Sequence, residues 1–179
     1  MIAHLPRWVS GAVLFDLDGT LIDSAPDLGR AANRMRAARG LDELPLAAYR
    51  PHGGSGARGM LQRAFALVPG DTAYDAYRQE FLEYYEQLMF ESTVPFDGVL
   101  DCLAGLSRRG LRWGIVTNKA EHLARPLVAH LALRAEVLVG GDTTPHTKPH
   151  PAPLLEAARR LGLQPSECLY VGKRLAKSP

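Results

Sequence analysis

The spacing of hydrophobic positions changes along the chain, and each change predicts a different kind of structure. Ala12 to Phe15 is a short apolar run that ends in a cluster of Asp and Gly residues, which is typical of a buried parallel strand followed by a tight loop. From Ala25 to about Leu88 the apolar residues recur at helical spacing without strand-like alternation. Helix breakers divide this stretch into a bundle of helices, with turns at Gly40, Pro45, 51–56 and 69–70.

After residue 98 the pattern alternates between helix and strand. The predicted elements, in order, are helix Val99–Arg109, strand Arg112–Val116, helix Glu121–Leu131, strand Val137–Val139, helix Pro153–Leu161 and strand Cys168–Val171. This alternation predicts the α/β class, with a Rossmann-like parallel sheet that has helices on both faces and binds ligands at the carboxyl ends of its strands. We expect an α/β core of residues 1–23 and 94–179, with residues 24–93 as a helical insertion.

Composition narrows the choice of partners and compartment. With 46% apolar and 22% charged residues the chain has the balance of an ordinary globular protein. Its net charge of +2 comes from dispersed arginines, so we expect no nucleic-acid partner. No apolar run is long enough to span a bilayer and no export signal is evident, so we expect no membrane partner and a cytoplasmic location. Cys102 and Cys168 are predicted to be buried free thiols.

The strongest chemical signal is the segment from Phe15 to Thr20, directly after the first predicted strand. Asp16 and Asp18, separated by one residue on a strand-to-loop turn, can both point at one small ligand, and Gly19 allows the backbone to approach it. One carboxylate could attack phosphorus and form an acyl phosphate, while the other moves protons. The alternative, a solvated Asp-Gly turn, does not account for the placement directly after an apolar strand.

A second signal, Thr117-Asn118, follows the second strand of the predicted sheet. A hydroxyl and backbone N–H groups at this point, before the helix that is predicted to begin at Glu121, could bind an anion. The segment seen alone is equally consistent with a Thr or Asn that caps this helix.

A third signal is Lys148, in the loop that follows the third strand of the predicted sheet. Its ammonium could neutralise both a phosphate oxygen and the Asp16 carboxylate. The alternative is a surface lysine. His146 and His150 flank prolines in the same loop, and we interpret them as loop residues and not as metal ligands.

Taken together, these signals resemble the first three motifs of the haloacid dehalogenase superfamily of phosphohydrolases. The motifs D-x-D-G-T, T-N and K-P match here at Asp16 to Thr20, Thr117-Asn118 and Lys148-Pro149. The resemblance implies a magnesium-dependent phosphatase in which Asp16 is the nucleophile, Asp18 the acid and base, and Thr117 and Lys148 stabilise phosphate. It further implies that Asp16 and the Asp18 carbonyl bind Mg²⁺, and that the remaining phosphate contacts come from Gly19, Thr20 and Asn118.

Within the superfamily, residues 13–27, 54–61 and 140–151 are most similar to bacterial phosphoglycolate phosphatases. By this resemblance the helical insertion is a cap over the active site, and Ser55, Gly56 and Arg58 face a small phosphorylated metabolite, with Arg58 at its distal carboxylate. A surface arginine is an equal alternative for Arg58. A sister group acting on N-acetylmuramic acid 6-phosphate has a very similar pattern. The resemblance is compatible with a monomer or a homodimer.

The chain departs from the family pattern after Gly172. Relatives continue with a Gly-Asp pair and a further acid that complete the magnesium site, whereas Lys173 to Pro179 is basic and contains neither acid. We therefore expect a truncated or altered C-terminus and a weaker affinity for Mg²⁺, with Lys173 adding repulsion. This leaves open a hypothesis of another class, a catalytically impaired remnant that binds phosphate.

Overall fold

The computed structural model describes residues 11–172, and the chain forms two compact units. An α/β unit contains the described residues up to Leu21 and from Pro95 onwards, and a helical unit contains Ile22–Val94. The main elements, in chain order, are β1 (Ala12–Phe15), β2 (Ile22–Asp23), α1 (Ala25–Ala37), α2 (Gly56–Phe65), α3 (Tyr74–Leu88), β3 (Val94–Pro95), α4 (Val99–Arg108), β4 (Arg112–Val116), α5 (Glu121–His130), β5 (Val137–Val139), α6 (Ala152–Leu161) and β6 (Cys168–Val171).

The α/β unit is built on a parallel sheet of four strands in the order β5-β4-β1-β6. β1 therefore has a hydrogen-bonded neighbour on each side, with Ala12 opposite both Arg112 and Cys168. All residues of β1 are buried, as expected for an interior strand of a parallel sheet. The predicted α/β class and the four predicted strands of this sheet are confirmed, with the bounds given by the hydrophobic pattern.

Alternate side chains along these strands form the core of the sheet. One buried cluster joins strand residues to the inner side of α6, and its members are Ala12, Leu14, Val116, Val137, Val139, Ala157 and Leu161. On neighbouring positions of the strands, the rings of Phe15 and Trp113 meet edge to face with centroids 6.5 Å apart. Because the side chains on both faces of the sheet are buried, polar groups can contact a ligand only at the ends of the strands.

The helical unit is organised around α1, which packs against both α2 and α3. Asp27 of α1 is fully buried, and its carboxylate accepts hydrogen bonds from Arg30, from the N–H groups of Ser92 and Thr93, and from the Thr93 hydroxyl. These bonds fix the segment that follows α3 to the start of α1. A buried carboxylate is tolerated here because it is fully hydrogen-bonded.

Several local predictions need correction. The predicted turn at 51–56 is a 3₁₀ helix over Arg50–Ser55, and Gly56 is already the first residue of α2. The short strands β2 and β3 were not predicted, because two residues carry no detectable periodicity. Predicted helix ends differ from the observed ones by one residue, which is the usual uncertainty at helix termini.

Cys102 and Cys168 are free thiols, but the expectation that they are buried is wrong, since both are only half-buried. Even this partial burial raises the pKa of both thiols.

Within residues 11–172, none of the helices has the length and apolar character that crossing a membrane requires.

Candidate active site

Asp16 lies immediately after β1, at the carboxyl end of the sheet. Its backbone N–H donates a hydrogen bond of 2.9 Å to the carbonyl of Val171 on β6, so the main chain at this position is still held as if in the sheet. The chain then turns sharply, with the Leu17 carbonyl accepting from the N–H groups of Thr20 and Leu21. Gly19 has a φ of 78°, a conformation that side chains with a Cβ rarely adopt. The turn keeps Asp16 and Asp18 at the same edge of the sheet.

Lys148 reaches this edge from the loop that follows β5. Its Nζ lies 2.7 Å from Asp16 Oδ1 and also donates to the Val116 carbonyl at 2.7 Å. Only 11% of the Lys148 side chain is exposed, so the surface-lysine alternative is wrong. Among the described residues, both donors to the Asp16 carboxylate, Lys148 and the Leu17 N–H, bind Oδ1. Oδ2 is the oxygen left for another partner.

Burial and charge oppose each other in this pair. Burial raises the pKa of the Asp16 carboxyl above 3.8, and the neighbouring Lys148 ammonium opposes that rise. Burial likewise lowers the pKa of Lys148 below 10.5, while the carboxylates of Asp16 and Asp18 oppose the fall. Each charge is therefore retained at a site that disfavours it because the other charge is next to it.

Asn118 fixes the backbone of the loop that carries Lys148. Its side-chain Nδ2 donates to the Lys148 carbonyl, and its Oδ1 accepts from the Lys148 N–H, each at 2.9 Å. The alternative role, a side-chain cap for α5, is wrong for both Thr117 and Asn118. Ala120 occupies the N-cap position, and the N–H of Glu121 donates instead to Asp142 Oδ1 at 2.7 Å.

Thr117 and Lys119 complete the polar groups that follow β4. Thr117 is 2% exposed and its hydroxyl accepts from the Lys119 N–H, while its own N–H donates to the Val139 carbonyl. The ammonium of Lys119 lies 3.3 Å from Asp18 Oδ1. The two carboxylates after β1 are thus each paired with a lysine from a different loop.

The loop after β5 packs closely on the segment after β4. A Cβ added at Gly141 would lie 2.3 Å from the Asn118 carbonyl oxygen, which is closer than such atoms can approach. The Gly141 N–H in turn donates to the Lys119 carbonyl at 2.8 Å. Glycine at this position lets the loop come close enough for Asn118 to reach Lys148.

The remaining predicted site residues belong to the helical unit. Ser55 ends the 3₁₀ helix, Gly56 begins α2 with a φ of 54°, and Arg58 lies exposed in the first turn of α2. Ser55 and Gly56 are half-buried. Their contact with a substrate stays a prediction.

Sequence reasoning missed three side chains of this edge. The Tyr170 hydroxyl on β6 accepts from Lys148 Nζ at 2.8 Å, Lys119 pairs with Asp18, and Asp142 accepts from the Glu121 N–H at the start of α5. Tyr170 lies in an apolar run and is indistinguishable from a core residue until the strand order is known. Asp142 follows the third strand of the sheet, and this position after a strand end was a usable signal.

The oxygen donors at this edge suit Mg²⁺ better than a softer metal. Asp16 offers a carboxylate oxygen and the turn offers the Asp18 carbonyl, and Mg²⁺ is commonly held by one or two carboxylates together with phosphate oxygens and water. Residues 11–172 contain no cluster of three or more His, Cys, Asp or Glu side chains able to hold a metal. The predictions about Lys173 and about missing acids after Gly172 fall outside the described residues.

Comparison with known proteins identifies the family. Residues 11–176 match the haloacid dehalogenase-like hydrolase family. The chain is 48% identical over 163 residues to a phosphoglycolate phosphatase of Xanthomonas campestris pv. campestris, covering 90% of this chain and 73% of that protein. It is 42% identical over 166 residues to an N-acetylmuramic acid 6-phosphate phosphatase of Pseudomonas aeruginosa, covering 92% of this chain and 74% of that protein.

A solved structure gives the same result for the fold. A haloacid dehalogenase-like family hydrolase from Streptococcus pneumoniae superposes with a TM-score of 0.73 at 24% identity, over 90% of this chain and 75% of that one. The family match and the curated relatives confirm the resemblance inferred from the sequence motifs. On this evidence the chain belongs to the haloacid dehalogenase-like hydrolase family.

Proposed function

We propose that this protein hydrolyses phosphate monoesters through an aspartyl phosphate formed on Asp16. The observation that carries the proposal is the 2.7 Å contact between Lys148 Nζ and Asp16 Oδ1 at the carboxyl end of the sheet. It leaves Oδ2 available as a nucleophile while a buried cation offsets the charge of an approaching phosphate. The names of the relatives, which are phosphatases, support the same reaction class.

The reaction divides into two displacements at phosphorus. In the first, Asp16 Oδ2 bonds to phosphorus as the ester P–O bond breaks, and the departing alkoxide takes a proton from Asp18. In the second, Asp18 removes a proton from water, whose oxygen bonds to phosphorus and releases phosphate from Asp16. Lys148 and Thr117 offset charge on the phosphoryl oxygens during both steps, and backbone groups of Gly19 and Thr20 with Asn118 help to orient them.

Mg²⁺ is the cofactor we propose for this site. The Asp16 carboxylate and the Asp18 carbonyl would hold it, and when bound it supplies positive charge that stabilises the transferring phosphoryl group. The cytoplasmic location inferred from the sequence also stays a prediction.

Phosphoglycolate is the substrate we propose, and N-acetylmuramic acid 6-phosphate is the alternative. Relatives of both names match the chain, the former at higher identity. Arg58 is proposed to bind the distal carboxylate of phosphoglycolate, as part of a cap formed by the helical unit. Arg58→Met is then expected to raise KM for phosphoglycolate about tenfold or more. The KM for an aryl phosphate, which has no carboxylate, should stay unchanged.

Side-by-side turnover of phosphoglycolate, N-acetylmuramic acid 6-phosphate and p-nitrophenyl phosphate tests the proposal, over a range of Mg²⁺ concentrations. We expect turnover that falls at least about a thousandfold in Asp16→Asn, and a phosphoryl adduct on the Asp16 peptide after acid quenching of the wild type. Equal activity of wild type and Asp16→Asn would refute the mechanism. Binding of inorganic phosphate without turnover at any Mg²⁺ concentration would instead favour the non-catalytic remnant.

A further inference from the structure

The hydroxyl of Tyr170 lies 2.8 Å from the Nζ of Lys148. Tyr170 is on β6 directly opposite Leu14 of β1, and this register places its side chain on the cluster that packs against α6. The ring is half-buried in that apolar cluster while the hydroxyl reaches the polar edge. Tyr170 thus connects the hydrophobic core to the ammonium beside the proposed nucleophile.

The ammonium of Lys148 has as many close acceptors as it has protons. They are Asp16 Oδ1 at 2.7 Å, the Val116 carbonyl at 2.7 Å and the Tyr170 hydroxyl at 2.8 Å. An ammonium group carries three N–H donors, so each proton has its own acceptor. The acceptors lie just after β1, at the end of β4 and on β6, which fixes Nζ relative to three strands of the sheet.

The acceptors differ in what they can do when a phosphate arrives. Asp16 changes its charge and its bonding during the proposed reaction, whereas the Val116 carbonyl and the Tyr170 hydroxyl do not. Burial, together with the Asp16 carboxylate, raises the pKa of Tyr170, so the phenol stays neutral and keeps its proton.

Gly172 lies close to the side chain of Tyr170. A Cβ added at Gly172 would lie 2.5 Å from the Tyr170 hydroxyl oxygen. Glycine at position 172 therefore leaves room for the Tyr170 hydroxyl, which a Cβ at this position would crowd.

We propose that Tyr170 is a positioning residue for the phosphatase reaction, and that its hydroxyl holds the Lys148 ammonium in place against Asp16. The catalytic consequence rests on the proposed function, whereas the immobilisation of Lys148 does not. Without the hydroxyl, the ammonium loses a fixed acceptor and can follow the movements of Asp16 and of the phosphate. We expect kcat to decrease and KM to change little, because Tyr170 acts through Lys148 and does not bind the substrate.

Tyr170→Phe, which removes only the hydroxyl, tests the proposal. We expect kcat to fall about tenfold, the usual effect of losing one hydrogen bond to a charged group, with KM changed less than about twofold. Tyr84→Phe is the matched control, since it removes a hydroxyl from a half-buried tyrosine of α3 in the helical unit, and should leave both constants unchanged.

A second readout does not depend on turnover. In ¹⁵N-labelled protein, an immobilised ammonium whose protons exchange slowly gives its own NMR signal, which Lys148→Arg would assign by its loss. We expect this signal in the wild type and in Tyr84→Phe, and proton exchange at least about tenfold faster in Tyr170→Phe at the same pH. A wild type that shows the signal but no turnover would defeat the proposed function and leave the positioning intact.

An unchanged signal together with an unchanged kcat in a folded Tyr170→Phe protein would overturn the positioning role. If Tyr170→Phe does not fold, 3-fluorotyrosine at position 170 keeps the ring and the hydroxyl but weakens the oxygen as an acceptor. Faster ammonium exchange in that protein supports the proposal, and wild-type exchange contradicts it.

Discussion

The side-chain amide of Asn118 and the backbone of Lys148 form a reciprocal pair of hydrogen bonds, each 2.9 Å long. The pair joins the segment after β4 to the loop after β5 and fixes the position from which the lysine side chain extends. An amide is suited to this task because it offers a donor and an acceptor side by side.

This pairing predicts that Asn118→Ala loosens the Lys148 loop. We expect a decrease of about tenfold in kcat, and a decrease of about 1 kcal/mol in the free energy of unfolding because Asn118 is exposed and water can replace its bonds. Steady-state kinetics and urea unfolding would measure the two effects. Gln79→Ala, which removes an exposed side-chain hydrogen bond from α3, serves as the control, and equal kinetics of the two variants would contradict the prediction.

The opposed charges of Asp16 and Lys148 predict a non-additive effect on stability. Lys148→Met leaves the mostly buried carboxylate of Asp16 without its cation. We expect the free energy of unfolding to fall by about 2 kcal/mol at neutral pH. The double variant Asp16→Asn, Lys148→Met should recover most of that loss, because neither position then carries a buried charge without its partner. Urea unfolding in metal-free buffer completes the double-mutant cycle, with Arg78→Met on the exposed side of α3 as a control for the substitution. Additive losses would show that the charges are not coupled.

The same pair predicts how the stability of Lys148→Met depends on pH. Burial raises the pKa of Asp16 above 3.8 in the folded wild type, and removal of the ammonium that opposes this rise should increase it further. A carboxyl with a raised folded-state pKa stabilises the fold at low pH and loses this contribution as pH increases through that pKa. The deficit of Lys148→Met relative to wild type should therefore grow as the pH rises above 3.8 and through the raised pKa of Asp16 in the variant. A deficit that shrinks over this range would be inconsistent with the assignment.

The proposed role of Asp18 predicts a dependence on the leaving group. In Asp18→Asn, a poor alkoxide leaving group receives no proton, whereas p-nitrophenolate can depart without one. With p-nitrophenyl phosphate we expect a burst of about one product per active site followed by slow turnover, because hydrolysis of the aspartyl phosphate still lacks its base. Stopped-flow absorbance would detect the burst. Asp142→Asn, which alters the carboxylate that accepts from the N–H at the start of α5, is the control and should give steady turnover without a burst.

The buried carboxylate of Asp27 gives a prediction that is independent of catalysis. Asp27→Ala leaves the N–H groups of Ser92 and Thr93 and the Arg30 guanidinium without their shared acceptor. We expect a loss of about 3 kcal/mol in the free energy of unfolding, compared with less than about 0.5 kcal/mol for Asp75→Ala at an exposed position of α3. Similar unfolding midpoints for the two variants would show that the network contributes little.

A site residue could be predicted from the sequence only when its role did not depend on a partner far away along the chain. Asp16 and Lys148 were predictable because polar residues after parallel strands must share one edge, whatever the order of the strands. Asn118 was ambiguous because its partner lies 30 residues away, and a local helix cap satisfied the same pattern. Only the three-dimensional arrangement distinguishes the two roles.

The role of Tyr170 could not be predicted from the sequence, for a different reason. Its importance depends on β6 being the neighbour of β1, and hydrophobic periodicity gives the position of a strand but not its place in the sheet. A tyrosine in an apolar strand is normally a core residue, and here its ring does pack against the core while the hydroxyl does not. The same limit applies to β2 and β3, whose pairing comes from tertiary structure and not from a local pattern.

The hydrogen bond from the Asp16 N–H to the Val171 carbonyl has a consequence for how the protein is made. Asp16, the proposed nucleophile, is translated well before Val171, because the helical unit and the strands β4 and β5 lie between them in the sequence. A nascent chain can collapse its helices early, but this bond closes a very long loop and must form late. The phosphate chemistry proposed for Asp16 should therefore begin only when translation has passed β6, so that a shorter nascent chain would not react with metabolites.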